Sequence, residues 1–341
     1  MDINQHVENI KKLRSNGGLF LASSQGVETG YDKAWLRDNF YISLGLEAAG
    51  EWELVEAMWR AILEIFNKHR DKIDWAAEHR PHESWQYIHA RYHPETFEEF
   101  WEEWGNKQND AVGAILYKLG DLEATGYGVI QPEDQETIQR LVDYLASIEY
   151  WHDPDNGVWE EYEEVHASSV GACVAGLRQV ARLDFIHVPD ELITQGEAAL
   201  ADLLPRESES KFCDLAQLSL FYPYNLVDET VGDIILERLE YHLARRRGVV
   251  RYKNDHYYNR NEDGFSEEAE WCFGFPWLAI IHHERGDDEA ARYWLEQAEE
   301  TVTEAGVPEL YYSNTDEPNE NNPLGWSESM LVVAKSKITN S

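Results

Sequence analysis

Apolar positions recur at helical spacing along most of the chain. Val7, Ile10 and Leu13 place one apolar stripe on a short helix over 2–14, and Leu54, Met58, Ile62 and Ile65 do the same over 51–67, after a stop at Gly50. The clearest amphipathic stretch is 134–149, where Ile138, Leu141, Val142, Leu145 and Ile148 share one side. The pattern predicts further helices at 39–49, 109–119, 168–183, 190–204, 228–245, 266–281, 287–304 and from Trp326 to Lys337. Pro189-Asp190 is a start signal, and Gly286 marks a tight turn between two of these helices. A short apolar run, Leu215 to Phe221, brings the count to about twelve, without a doubtful helical pattern near Thr96 to Glu103. Residues 71–108 otherwise read as a long polar and aromatic segment, and 121–133 as a loop. No stretch reads as strand and no linker divides the chain, so 1–341 is expected to form one all-α domain.

Numbered in order, these helices alternate in what joins them. Even-to-odd connections are mostly short, around Gly50, His187, Tyr224 and Gly286. Odd-to-even connections carry Trp35/Arg37/Asp38, Trp104/Gln108/Asp110, Trp159/Glu160, Arg206/Glu207, Arg251/Tyr252/Asp255 and Glu309/Tyr311. In a closed ring of helical hairpins, all odd-to-even connections emerge at one end. Such a ring would collect the aromatic, arginine and carboxylate groups on one face above a rigid scaffold.

Charge narrows the ligand. With 65 acidic and 29 basic residues the formal net charge is −36, a field that repels nucleic acid and anionic lipid and leaves a neutral ligand unaffected. A charge this large leans toward a salty surrounding, where screening limits self-repulsion. The 13 tryptophans hint at flat sugar-binding surfaces. Cys173, Cys213 and Cys272 form neither a disulfide framework nor a zinc spacing, and no metal or cofactor is expected. The N-terminus is too polar for a secretory signal and no apolar run reaches membrane-spanning length, so a cytoplasmic location is expected.

The densest chemistry lies in Asp155 to Val170, DNGVWEEYEEVHASSV, where Trp159 adjoins Glu160 and Glu161. An aromatic face stacks on a pyranose, and its low polarity raises the pKa of a neighbouring acid. Hydrolysis of a glycosidic bond needs two carboxyls with different environments. Glu309, in a Pro-Glu-Leu-Tyr loop, is the second carboxyl among aromatics. An Arg beside an Asp, as at Arg37–Asp38, can donate and accept toward vicinal hydroxyls, or can form a salt bridge at the start of a helix. Glu161, Glu163 and Glu164 also fit a solvated acidic rim, and Asp255 a structural brace.

Six motifs in order, WLRDN (35–39), HARY (89–92), WGNKQNDAVG (104–113), GVWEEYEEVHASSVG (157–171), RYKNDHYY (251–258) and VPELYY with NPLGWSESM (307–312, 322–330), resemble the glucoamylase-like glycoside hydrolases of family 15. They look particularly like the branch that includes the N-terminal domains of phosphorylase kinase α and β subunits. The resemblance implies an (α/α)6 barrel with a pocket at one end, and removal of single α-linked glucose units from non-reducing ends with inversion. It makes Glu160 the general acid and Glu309 the general base. Arg37 and Asp38 look like the pair that holds the hydroxyls of the first glucose. Trp104 looks like the platform ring, with Trp159 a second aromatic beside the acid. Arg251 resembles the arginine that holds sugar hydroxyls from another side, and Asp110 and Asp255 look like braces. Trp35, Gln108, Asp110, Glu161, Tyr252 and Trp326 complete the expected substrate-binding set. Leu310 stands where many fungal and bacterial members have Gln, and Gly157 where fungal enzymes carry Asp. No starch-binding module or N-terminal β-sandwich is expected, which points to short oligosaccharides. A glucan-binding or regulatory protein without turnover is the alternative, and a phosphorolytic enzyme a third reading.

Overall fold

The computed structural model describes residues 1–24, 30–102, 104–258 and 267–339. Among these residues the chain forms twelve α-helices: α1 Ile3–Lys12, α2 Leu36–Ala48, α3 Trp52–Lys68, α4 Arg70–Glu78, α5 Asn109–Thr125, α6 Gln135–Ile148, α7 Ala167–Val180, α8 Asp190–Leu203, α9 Glu229–Leu243, α10 Gly274–Glu284, α11 Asp288–Glu299 and α12 Gly325–Thr339. The run Leu215–Leu220 is a 3-10 helix, not an α-helix.

Two kinds of sequence make two rings. The α2, α5, α7, α10 and α12 segments are apolar or small on nearly every face and are buried along most of their length. By contrast α1, α3, α6 and α11 bury one stripe and present polar residues outward. The inner elements close on themselves: α2 packs on α5, α5 on α7, α7 on the 3-10 run, that run on α10, α10 on α12, and α12 on α2. This is the (α/α)6 barrel, with its fourth inner helix reduced to a single 3-10 run. The α5–α7 contact is backbone to backbone. A Cβ on Gly113 would lie 2.4 Å from the carbonyl carbon of Ala172, and one on Gly176 2.4 Å from the Gly113 oxygen.

Several expectations change. The α4 helix lies in the segment read as polar and aromatic; it buries only Ile73 and Ala76, too few positions to give a period. The described part of 96–103 contains no helix, and Glu103 lies outside the described residues. The α5 helix continues through Gly120 to Thr125, because Gly120 packs against Gln179 and Gly126 is the true stop at φ +82°. The helix expected from 266 begins at Gly274 with Pro276 in its first turn; residue 266 itself lies outside the described residues. Extended backbone precedes it. Among the described residues, four two-residue strands form two antiparallel pairs, β1 Ala34–Trp35 with β2 Arg91–Tyr92 and β3 Glu270–Trp271 with β4 Leu310–Tyr311. These pairs tie the first connection to the second and the fifth to the sixth. No described helix is long and apolar enough to cross a membrane.

Candidate active site

The connections that lead into the inner elements gather over the N-terminal ends of the ring. There they enclose a cavity of about 170 Å³. Tyr31, Lys33, Trp35, Arg37 and Asp38 come from the first connection and the start of α2; Arg91 and Trp104 from the second; Val158, Trp159 and Glu160 from the third. The fifth gives Arg251, Tyr257 and Trp271, with Phe273 at the head of α10, and the sixth gives Glu309, Leu324 and Trp326. The fourth contributes from behind the wall: Asp214 accepts the Trp159 indole N–H at 2.8 Å.

The loop carrying Glu160 is a tight turn closed at its base. Asp155 and Glu164 exchange backbone hydrogen bonds of 2.9 and 3.0 Å, and Glu160 N donates to Gly157 O at 3.2 Å. Gly157 and Glu160 both take left-handed backbone, at φ +62° and +63°. At Gly157 a Cβ would sit 2.8 Å from the His166 ring, so a side chain is excluded twice over. This turn fans three neighbours apart: Trp159 and Glu160 face the pocket, and Glu161 turns away to Arg251.

Arg37 and Asp38 lie in the first turn of α2, because that helix starts three residues earlier than its pattern suggests. Arg37 does not bridge to Asp38. Its Nη2 donates to Glu160 Oε1 at 2.8 Å and its Nη1 to Gln108 Oε1 at 2.7 Å, with Asp110 Oδ2 at 3.4 Å. Gln108 and Asp110 therefore sit behind the wall and hold the arginine; neither lines the cavity. Asp38 does line it, and burial pushes its carboxyl up to about 7 despite the nearby Arg37.

On the opposite wall Asp255 grips Arg251 through two 2.7 Å hydrogen bonds. Glu161 accepts from Arg251 at 2.7 Å and from the Tyr252 hydroxyl. Glu161 and Tyr252 thus stand outside the cavity, lining a neighbouring groove. The Arg251 guanidinium lies within 5.2 Å of the Trp159 and Trp271 ring centres. Arg206 bonds backbone oxygens of its own loop, Glu207 caps α7 through Ser168, and the Tyr311 hydroxyl donates to Thr301 O; none of the three lines the cavity. The floor is aromatic. Trp326 is stacked between Tyr41 at 4.2 Å and Phe273 at 4.5 Å.

The two carboxyls differ in setting. Glu160 Oε1 takes Arg37; burial raises its pKa, while Arg37 and then Arg91 hold it down. Glu309 is 1% exposed and meets three neutral donors. The Tyr31 hydroxyl reaches its Oε1 at 2.7 Å, and the Asn319 and Asn321 amides reach its Oε2 at 2.6 and 2.7 Å. Burial raises its pKa as well, and those three donors oppose the rise. Each carboxylate oxygen accepts two hydrogen bonds, so Oε2 is filled and Oε1 keeps one position for a further donor.

Tyr31, Arg91, Asn319 and Asn321 carry no role among the expected site residues. Arg91 stood in the quoted HARY motif without a role; it lies 3.9 Å from the Trp104 ring centre. The others are ordinary polar residues in loops, and no spacing marks them.

The sequence model of the glycosyl hydrolases family 15 matches residues 4–216. A probable phosphorylase b kinase regulatory subunit alpha of Drosophila melanogaster is 30% identical over 86% of this chain. The chain spans 28% of that protein's length. Among solved structures, a wild-type glycosidase superposes with a TM-score of 0.83 at 19% identity, covering 99% of this chain and 96% of that one. A bacterial glucoamylase complexed with acarbose gives 0.75 at 14% identity, covering 99% of this chain and 55% of that one.

Proposed function

Because this chain belongs to glycosyl hydrolase family 15, we propose that it is an inverting, exo-acting α-glucosidase that releases glucose from the non-reducing ends of short α-glucans. The observation that carries this reading is the unequal pair in one pocket: Glu160 with a single ionic partner, and Glu309 with three neutral donors. Tyr31, Asn319 and Asn321 all donate to Glu309, which suits a carboxylate and opposes its protonation, so Glu309 acts as the base. Glu160 Oε2 is not engaged by Arg37 and can carry the proton of an acid.

In the proposed reaction Glu160 gives its proton to the glycosidic oxygen as the C1–O bond breaks. Water hydrogen-bonded to the open position of Glu309 Oε1 loses a proton to that carboxylate and forms the new bond to C1 from the opposite face. The product is β-glucose and a shortened chain. The aromatic floor, with Trp326 stacked between Tyr41 and Phe273, suits a chain end and supports exo action. Arg37, Asp38 and Arg251 are proposed to hold sugar hydroxyls, with Trp35, Trp104 and Trp159 as the ring faces, and Gln108, Asp110, Glu161 and Tyr252 holding the arginines. We take 1–341 as one catalytic domain with a neutral oligosaccharide partner, no cofactor, and a cytoplasmic location.

The name of the fly relative, a regulatory subunit, favours a second reading, glucan binding without turnover. Release of glucose from a panel of α-glucosides, with and without phosphate, separates the readings. Glucose release independent of phosphate supports hydrolysis. Binding of maltose by calorimetry with no product supports the regulatory reading, and phosphate-dependent cleavage supports a phosphorolytic one.

A further inference from the structure

Among the described residues, Lys33, Arg37, Arg91 and Arg251 are the cations of the cavity wall, and they are unequally matched. Arg37 is held by Glu160 and Asp110, and Arg251 by Asp255 and Glu161. Lys33 and Arg91 share a single carboxylate oxygen: each meets Glu102 Oε2 at 2.9 Å. Glu102 is 60% exposed and stands outside the cavity lining, so it is a weak counter-charge. The Arg91 side chain is 8% exposed, and its buried Nε has no hydrogen-bond partner. An unpaired donor in so buried a guanidinium is costly, and this one belongs to a group that lines the cavity.

The fold sets the pair. The β1–β2 register places Arg91 opposite Trp35, and Lys33, two positions before Trp35, falls on the same face. Phe100 adjoins both, 4.7 Å from Lys33 Nζ and 5.5 Å from the Arg91 guanidinium carbon. Two like charges side by side repel, and an anion bound between them relieves this. Arg91 also stands on the side of the acid, since it helps to hold the Glu160 pKa down. We propose that Lys33 and Arg91 bind one carboxylate or phosphate group carried by the leaving group of an α-glucoside, in place of Glu102, so that the pocket prefers an anionic aglycone to a neutral one. The net charge of −36 opposes long polyanions, whereas one anionic group on a small ligand meets these two cations at contact. The proposal rests on the reading of the pocket as a glucoside site.

The test uses the full chain with Glu160→Gln, titrated calorimetrically with two matched pairs of ligands: maltitol against maltobionate, and maltose against maltose 1-phosphate. The first pair reads a carboxylate, the second a phosphate. In at least one pair the anionic member should bind about tenfold more tightly or better, with a gain that shrinks as salt rises. Lys33→Met with Arg91→Met should abolish the gain. Glu102→Gln, at an exposed position that folding tolerates, should enlarge it by freeing both cations. Equal or weaker binding of both anionic members overturns the proposal, as does a gain that survives the double substitution or is unmoved by Glu102→Gln. Stimulation of maltose cleavage by inorganic phosphate, lost with Lys33→Met and Arg91→Met, would also overturn it, because the pair would then serve a free anion. Turnover by the unmodified chain is read separately. Anion-selective binding without turnover keeps the pair and defeats the hydrolase reading, whereas turnover of maltose without anion selectivity does the reverse.

Discussion

Glu160 and Glu309 face the same cavity from loops 149 residues apart in sequence, yet the chain treats them in opposite ways. The Glu160 loop is a strained turn that delivers one oxygen to an arginine and leaves the other unengaged by it. The Glu309 loop is pinned by β3–β4 pairing and clamps both oxygens with a phenol and two amides. Burial raises both pKa values, so burial alone cannot divide their labour. The donors do. Arg37 occupies one oxygen of Glu160 and leaves the other free of it to carry a proton, while three donors spread over both oxygens of Glu309 favour its anion.

Removing the carboxylates tests this contrast hardest. Glu160→Gln and Glu309→Gln should each lower kcat on a maltoside by ~10²–10⁴-fold or more. On glucosyl fluoride, whose leaving group needs little protonation, Glu160→Gln should recover a large part of the loss and Glu309→Gln should not. Recovery by Glu309→Gln alone would reverse the assignment. Next in size is Arg37→Gln, which strips the charged hydrogen bond from Glu160 and should cost about 10–100-fold in kcat/KM. Arg37 holds the Glu160 pKa down, so its loss should move the basic limb of the pH profile to higher pH. An unmoved basic limb would detach Glu160 from it.

Smaller again is Asn321→Ala, about tenfold in kcat/KM. It removes one of the donors that favour ionised Glu309, so the acidic limb should move up in pH while the basic limb stays. A shift confined to the basic limb would contradict the clamp. Smallest is a stability effect around the acid's loop and its neighbour. Burial lifts Asp38 and Asp155 to about 7, above their unfolded values, so their unfavourable contribution grows as pH rises from about 4 to 7. His166, opposed by burial but raised to about 9 by Glu207 and Asp155, contributes stability below about 6.5 that is lost as pH rises through 9. All three signs agree. Tm at high salt, which screens the net charge, should fall between pH 5.5 and 9, and Asp155→Asn should flatten the lower part of that fall.

The alternation of plain and chemistry-bearing connections was readable because it depends only on helix order. It survived even though the fourth inner helix shrank to a 3-10 run and α4 was added outside the ring. Trp35, Arg37, Asp38, Trp104, Trp159, Glu160, Arg251, Glu309 and Trp326 accordingly meet around one cavity. What lay beyond the sequence was which of these neighbours turn inward. Glu160 and Glu161 are adjacent and chemically identical, and only the left-handed turn at Glu160 sends one to the pocket and the other to Arg251. The Tyr31–Asn319–Asn321 clamp joins residues 278 and 10–12 positions from Glu309, and two-residue strands that fix its loop leave no period to read.

The account stands or falls on Glu309 activating water on the face opposite the leaving group. Proton NMR of the first glucose formed from an α-glucoside, recorded before mutarotation, measures this directly. The account predicts that β-glucose appears first and decays toward the equilibrium mixture. First appearance of α-glucose would mean retention, and would remove Glu309 from the role of base.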